Sequence, residues 1–301
     1  MPIPIKKPPT MKHYFNTNKV LSVTALAIGA ITIFFACKKD DAKSGADDKK
    51  DNNTISAAVS EANVNAIYED VFNASIDYNR RELPPGGRKA PEQADTDPNP
   101  NVCYGVFTAE PGDVLTYPKT LTIDFENGCT DGRGITRKGK LKIKLTSILW
   151  LQDAKATVTF ENYFVNGIKV EGTVVITTTS WLSAKKTFTY AVTDGKVTYP
   201  NGYTATYSGT RTVEYKDKNT ADLKDDVFEI TGNAILKDSL GTATVAITKP
   251  LQRQLTCPWI QAGEVTVTLN GHSGKLDYGN AAECDKKATL TIGDKTKEIT
   301  L

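Results

Sequence analysis

Val265-Thr266-Val267-Thr268-Leu269-Asn270-Gly271 is the stretch that decides the fold. Apolar side chains alternate with threonines, and successive residues of a strand point to opposite faces, so one face is buried and the other solvated. Asn-Gly closes the run, a pair that supplies the positive φ angles of a two-residue hairpin turn. Working outward, the same alternation recurs. Leu121, Ile123 and Phe125 alternate with Thr122 and Asp124, and Leu141, Ile143 and Leu145 with Lys140, Lys142 and Lys144. Leu290 and Ile292 alternate with Thr289 and Thr291. Asn166-Gly167, Asp194-Gly195, Asn201-Gly202 and Gly293-Asp294 read as further tight turns. Connections this short join antiparallel neighbours only. Residues 102–301 are therefore expected to be a mostly β domain, an antiparallel meander of long hairpins. About ten to twelve strands fit the usual spacing. So many must form a curved sheet or half-barrel, close into a barrel, or split into a sandwich.

The residues before this domain read differently. From 54 to 79, Ile55, Val59, Ala62, Ile67, Val71, Ala74 and Tyr78 recur at three- to four-residue steps, which predicts one amphipathic helix with Thr54 or Ser56 as N-cap. Glu61, Glu69, Asp70 and Asp77 are expected on its polar side, the wrong sign for an anionic membrane surface. Residues 37–53 read as a charged tether, and 80–101, with Pro84-Pro85-Gly86-Gly87, Pro91, Pro98 and Pro100, as a linker. At the start, Lys12, His13 and Lys19 precede an uncharged apolar run of residues 20–36, which ends in Phe34-Phe35-Ala36-Cys37. A basic region, a short apolar run and a small residue before a cleavage point make a secretory signal, here residues 1–36. Met11 is a second plausible start. Cys37 just past the small residue resembles a lipobox, whose thiol is diacylated and becomes the mature N-terminus. Two acyl chains give stable anchoring, so the expected membrane contact is this N-terminal anchor.

Composition narrows the function classes. Residues 1–36 hold four lysines and no acid, so a chain starting at Cys37 carries 33 basic against 35 acidic residues. That balance gives no case for nucleic acid as a partner, which needs a clustered basic footprint. His272 is the one histidine beyond the signal, which excludes multi-histidine metal sites, and no cofactor or metal is expected. Cys103, Cys129, Cys257 and Cys284 form an even set with three connectivities, which in an exported chain reads as disulfides. Cys103–Cys129 and Cys257–Cys284 are favoured by similar separations and similar flanks, Phe125-Glu126-Asn127-Gly128 before one partner and Tyr278-Gly279-Asn280 before the other. Asp238-Ser239-Leu240 resembles a short O-glycosylation acceptor pattern and falls where a hairpin tip is expected, so Ser239 is a candidate modification site.

Catalytic patterns are weak. Gly271-His272-Ser273-Gly274 lacks the second glycine of a nucleophile elbow, Lys275 standing there, and belongs to a hairpin instead of a strand-to-helix turn. Asp131-Gly132-Arg133-Gly134 lacks the spaced carboxylates of a calcium loop. The Lys140, Lys142 and Lys144 row reads as a solvated strand face. Trp150, Trp181 and Trp259 could stack on sugars, although an all-β core also buries tryptophan. No catalytic residue is assigned.

One resemblance emerges from residues 160–173, from Thr122-Ile123-Asp124-Phe125-Glu126-Asn127-Gly128-Cys129, and from Cys257-Pro258-Trp259. With the signal, these resemble a family of uncharacterised lipoproteins of Bacteroidota, which implies no activity. Lys38-Lys39-Asp40-Asp41 resembles the charged stretch that marks export to the outer leaflet there. The expectation is a cell-envelope protein, lipid-anchored to the outer membrane and periplasmic or surface-exposed, with a non-enzymatic structural or binding role. Two other classes stand beside it: a carrier or receptor for an apolar ligand or glycan in a curved sheet, and a hydrolase built on carboxylates. An interior cavity would favour the carrier, and two carboxylates in unlike environments on one cleft the hydrolase.

Overall fold

The computed structural model describes residues 44–82, 103, 105–113, 115–132, 134–182, 185–216, 227–254, 257, 259–280, 283–285 and 287–300. The expected signal, Cys37 and the first part of the tether lie outside these residues, as does most of the expected linker. One helix, α1 (Ser44–Glu82), precedes fourteen strands. The first seven are β1 (Val106–Glu110), β2 (Lys119–Asp124), β3 (Cys129–Thr130), β4 (Thr136–Leu145), β5 (Lys155–Val165), β6 (Ile168–Leu182) and β7 (Lys185–Thr198). The others are β8 (Thr204–Lys216), β9 (Val227–Asp238), β10 (Gly241–Gln254), β11 (Ala262–Leu269), β12 (His272–Asn280), β13 (Lys287–Ile292) and β14 (Lys295–Thr300). All join in one antiparallel sheet that follows chain order from β1 to β14, with the short β3 beside β4. It is the expected meander, somewhat richer in strands, and it is not closed into a barrel: β1 and β14 are its two edges.

Alternation places the core. Leu121, Ile123, Leu141, Ile143, Val265, Val267 and Leu290 are all buried. Their neighbours Thr122, Lys142, Thr266 and Thr291 lie toward the other face. Asn166-Gly167 and Asn270-Gly271 have positive φ at both residues, as two-residue hairpins require. Asp194-Gly195 is a correction: it lies inside β7, where the pairing shifts between Val192 and Gly195, so the pair makes a bulge and the strand continues. The close approach needs glycine, because a Cβ on Gly195 would stand 2.7 Å from the Tyr68 hydroxyl. Gly139 marks a second bulge, at φ +82° and with no room for a Cβ beside the Asn162 carbonyl. Bulges like these add local twist and bend, which is how a long sheet curls.

How far it curls is read from one turn of α1. Glu69 meets Arg253 on β10, Asp70 meets Arg137 on β4, and Phe72 packs on Phe188 and Tyr190 of β7. Strands β4 and β10 are six places apart, about 29 Å in a flat sheet at 4.8 Å per strand. One helical turn reaches both only if the sheet wraps around it. This wrapping explains two departures from the sequence expectation. The helix extends well beyond residues 54–79, its first turns occupying part of the expected tether, because Asp48 and Asp51 find partners in the sheet. Glu61 and Asp70, expected on a solvated side, are buried. No described helix is long and apolar enough to cross a membrane.

Candidate functional site

A polar seam runs between helix and sheet. Glu61, Asn65, Tyr68 and Phe72 are spaced by three and four residues, so they line one helical face. Opposite them, Arg211 holds an inward position of β8, in phase with buried Ala205, Tyr207 and Val213. Its guanidinium lies 3.1 Å from Glu61, both side chains 2% exposed, and also donates to Asn65 and to the Tyr207 hydroxyl. Arg137 at the start of β4 grips Asp70 through Nε at 2.8 Å and Nη2 at 2.5 Å, and donates Nη1 to Asp131 at 3.0 Å. Arg253 near the end of β10 lies 3.4 Å from Glu69 and donates to Asn73. At the other end of the helix, His272 Nε2 lies 2.9 Å from Asp51, and Lys295 donates to Asp51 at 2.7 Å and Asp48 at 2.8 Å.

The electrostatics differ along the seam. Burial pushes the Glu61 and Glu69 carboxyls above the ordinary carboxylate range, against the opposing pull of Arg211 and Arg253. Burial also pushes the Tyr190, Tyr207 and Tyr278 hydroxyls up. At Asp51 burial acts in the same sense, but hydrogen bonds from Lys295 and His272 outweigh it and hold the carboxyl below its usual range. The Tyr190 hydroxyl and Arg211 Nη1 are buried without a hydrogen-bond partner among the described residues. Such a seam fixes a helix. Its carboxylates are each committed to a cation.

A second assembly lies at one end of the meander. Strands alternate in direction, so their connections fall alternately at two ends. At the turn end lie Asn166-Gly167, Ser239-Leu240, Asn270-Gly271 and Gly293-Asp294. At the loop end lie most of the longer connections, and with them Trp150 between β4 and β5, Trp181 at the end of β6 and Trp259 between β10 and β11. Leu115, 82% exposed, and Leu151, 53% exposed, share this end. Trp150 and Trp181 have ring centroids 4.8 Å apart and both pack edge-on against Phe188. In register across β6 to β10, Trp181 faces Lys186, then Tyr215, Phe228 and Arg253. Paired residues share a face, so this row borders the helix-facing side. Lys186 Nζ stands 5.7 Å from the Trp181 ring and 4.9 Å from Tyr215, and Arg253 lies 5.0 Å from Phe228. Trp150, Trp181, Tyr215 and Phe228 are half-buried. Two of the three tryptophans singled out in the sequence are thus brought together at this rim.

The remaining sequence candidates fall elsewhere. Disulfides join Cys103 to Cys129 at the turn end and Cys257 to Cys284 at the loop end. Ser239 is exposed on the two-residue turn between β9 and β10, where Asp238 caps the Leu240 amide at 2.7 Å. Cys37 lies outside the described residues. Ser273 shares a hydrogen bond with Thr268 in a hairpin, and His272 is tied to Asp51. Asp131 serves its own turn and Arg137, while Arg133 lies outside the described residues. Lys140 and Lys142 pair with Asp124 and Glu161 on the solvated face. A trough of about 590 Å³ crosses the outer face of β7 to β11, floored by Ala191, Ser208, Thr210, Asn233, Ala246 and Thr266. The concave side holds the helix instead. Among the described residues no cluster of His, Cys, Asp and Glu is placed to hold a metal.

Sequence reasoning missed the seam arginines. Their signal was available: Arg211 interrupts an otherwise apolar inward phase, which a strand tolerates only when a partner waits opposite. Comparison of the chain with models of protein families, with curated proteins and with solved structures gives no match in any of the three.

Proposed function

We propose that this chain is a lipid-anchored cell-envelope protein with a non-enzymatic binding role, a stiff scaffold that presents its loop end. The observation that carries the reading is the division of labour in the sheet. The seam and the two disulfides stiffen the body, while half-buried aromatic rings and exposed leucines gather at the longer loops. Disulfides suit an oxidising compartment, in keeping with the signal read at residues 1–36. The N-terminal turns of α1 are bound at the turn end by His272 and Lys295, away from the aromatic rings at the loop end.

Fractionation tests the anchor. Wild-type protein is expected in the detergent extract of the outer membrane, and Cys37→Ala in soluble or unprocessed form. A mutant that still partitions with membranes at full yield would sink the lipid anchor. Protease shaving of intact cells then separates surface display from a periplasmic location.

A further inference from the structure

We propose that the loop end docks on a phospholipid bilayer through Leu115, Trp150, Leu151 and Trp181, an inference that rests on the binding role above. These side chains belong to three connections, β1–β2, β4–β5 and β6–β7, which follow one another along this end of the sheet. The sequence already concentrates apolar residues there: Ile148-Leu149-Trp150-Leu151 fills the middle of the β4–β5 loop. Leu149 is buried and its carbonyl accepts from the Thr178 hydroxyl, which folds the loop over the end of β6. Leu115 and Leu151 are left as the most exposed large apolar side chains among the described residues. Behind them Trp150 and Trp181 are half-buried, and both rest edge-on against buried Phe188. Leucine tips ahead of tryptophan rings follow the gradient of a bilayer edge, where tails meet the leucines and amphipathic indoles stay at headgroup depth.

The backbone at the tips is prepared for the same surroundings. The Asp113 carboxylate accepts from the Leu115 amide at 3.1 Å and from the Thr116 amide at 2.8 Å. In the β4–β5 loop the Leu151 amide donates to the Ile148 carbonyl at 3.0 Å, the Asp153 amide to Thr178 at 2.8 Å and the Ala154 amide to Leu151 at 3.2 Å. An amide that leaves water for lipid finds no new acceptor, so tips closed on themselves lose little on entering. A protein partner would bring acceptors of its own and needs no such closure. Charges of both signs stand around the tips, Asp113 and Asp153 with Lys144 and Lys155, all exposed. The contact is therefore carried by apolar burial, and a zwitterionic lipid suffices.

Proteoliposomes of the full-length wild-type protein test the proposal. They are made with phosphatidylcholine brominated in its acyl chains, so every bilayer in the sample quenches tryptophan on contact. Emission is expected to fall relative to unbrominated lipid, and the fall to survive raised salt. Leu115→Ser and Leu151→Ser should each weaken docking about tenfold, the change that withdrawing one buried leucine gives. Both side chains are exposed in the free protein, so the melting temperature should stay in place and lost quenching is not lost fold. Trp150→Phe combined with Trp181→Phe should leave only the unquenched emission of Trp259. Unquenched wild-type emission, quenching abolished by salt, or quenching that the leucine variants leave unchanged would each overturn the site. So would quenching kept in full by the double Phe variant, which would place the contact at Trp259. Rings shielded from aqueous acrylamide yet untouched by bromine would mark a protein partner and overturn it too. Failure of quenching with correct fractionation removes only the lipid contact. A soluble wild-type protein removes the anchor, and the same vesicles mixed with it still test the rim.

Discussion

The two ends of the meander are built to opposite rules. At the turn end, strands are joined by pairs such as Asn166-Gly167 and Asn270-Gly271, whose backbone angles leave little freedom in register. Arg137 holds Asp70 there through two hydrogen bonds, and the helix N-terminus is tied to His272 and Lys295. At the loop end most connections are longer, the rings of Trp150 and Trp181 are half-buried, and Arg253 meets Glu69 at a looser 3.4 Å. Short turns specify the sheet, and loops carried by a rigid sheet are where recognition residues can vary without cost to the fold.

Removing one arginine at each end should expose the difference most strongly. Arg137→Met leaves Asp70 buried without its partner and is expected to cost about 3–5 kcal/mol, since stranding a buried charge is far worse than never having the pair. Arg253→Met should cost less, about 1–3 kcal/mol. Urea titration of both variants checks the order, and equal losses would erase the contrast between the ends. The disulfides should behave alike, because their separations of 26 and 27 residues are nearly equal. The chain-entropy model gives about 3–4 kcal/mol for each. Non-reducing peptide mapping should recover Cys103 with Cys129 and Cys257 with Cys284, and a markedly smaller loss at one end would reveal residual order in the unfolded chain there.

Acidity should act with opposite sign at the two ends. Asp51 is depressed in the folded state, so its contribution is complete above the ordinary aspartate value of 3.8 and is lost as pH falls through the lower folded value. Glu69 is raised, so the folded state is favoured more at low pH and loses that advantage as pH climbs from 4.5 through the raised folded value. Asp51→Asn should flatten the acid limb of a stability–pH curve, and Glu69→Gln the decline above it. Identical curves for the two variants would contradict the assignment. The smallest effect is expected at Ser239, proposed as an O-glycan acceptor on a turn where added bulk displaces no packing. Intact mass from the native host should fall to that of the bare chain in Ser239→Ala, with no change in melting temperature.

Much of the sheet was legible because one of its faces meets water. Val265, Val267 and Leu269 could only alternate with threonines if the sheet had a solvated side, and they are buried as their phase requires. Asp194-Gly195 shows where local reading stops: the pair has the chemistry of a turn, and flanking strands that keep pairing with β6 and β8 convert it into a bulge. The helix was legible as a helix, but its surroundings were not. Glu61 is polar by any scale, and only the position of Arg211, 150 residues later, makes it an interior residue. The rim was half legible. Chain order places all three tryptophans at one end of a meander, but the register that aligns Trp181 with Lys186 and Tyr215 depends on bulges that no single strand reveals.

The wrapped helix also sets an order of events during folding. Its first turns are emitted early, yet Asp51 bonds to His272 across 221 residues and Asp48 to Lys295 across 247. Contacts of such span form late and make folding slow, because the closure entropy must be met before any of them helps. A chain synthesised from its N-terminus must therefore carry the helix unsatisfied until the last hairpin emerges. Its first turns, sparing in large apolar side chains and charged at every residue from Asp47 to Asp51, suit that wait: they can stay solvated and resist aggregation until the sheet arrives to enclose them.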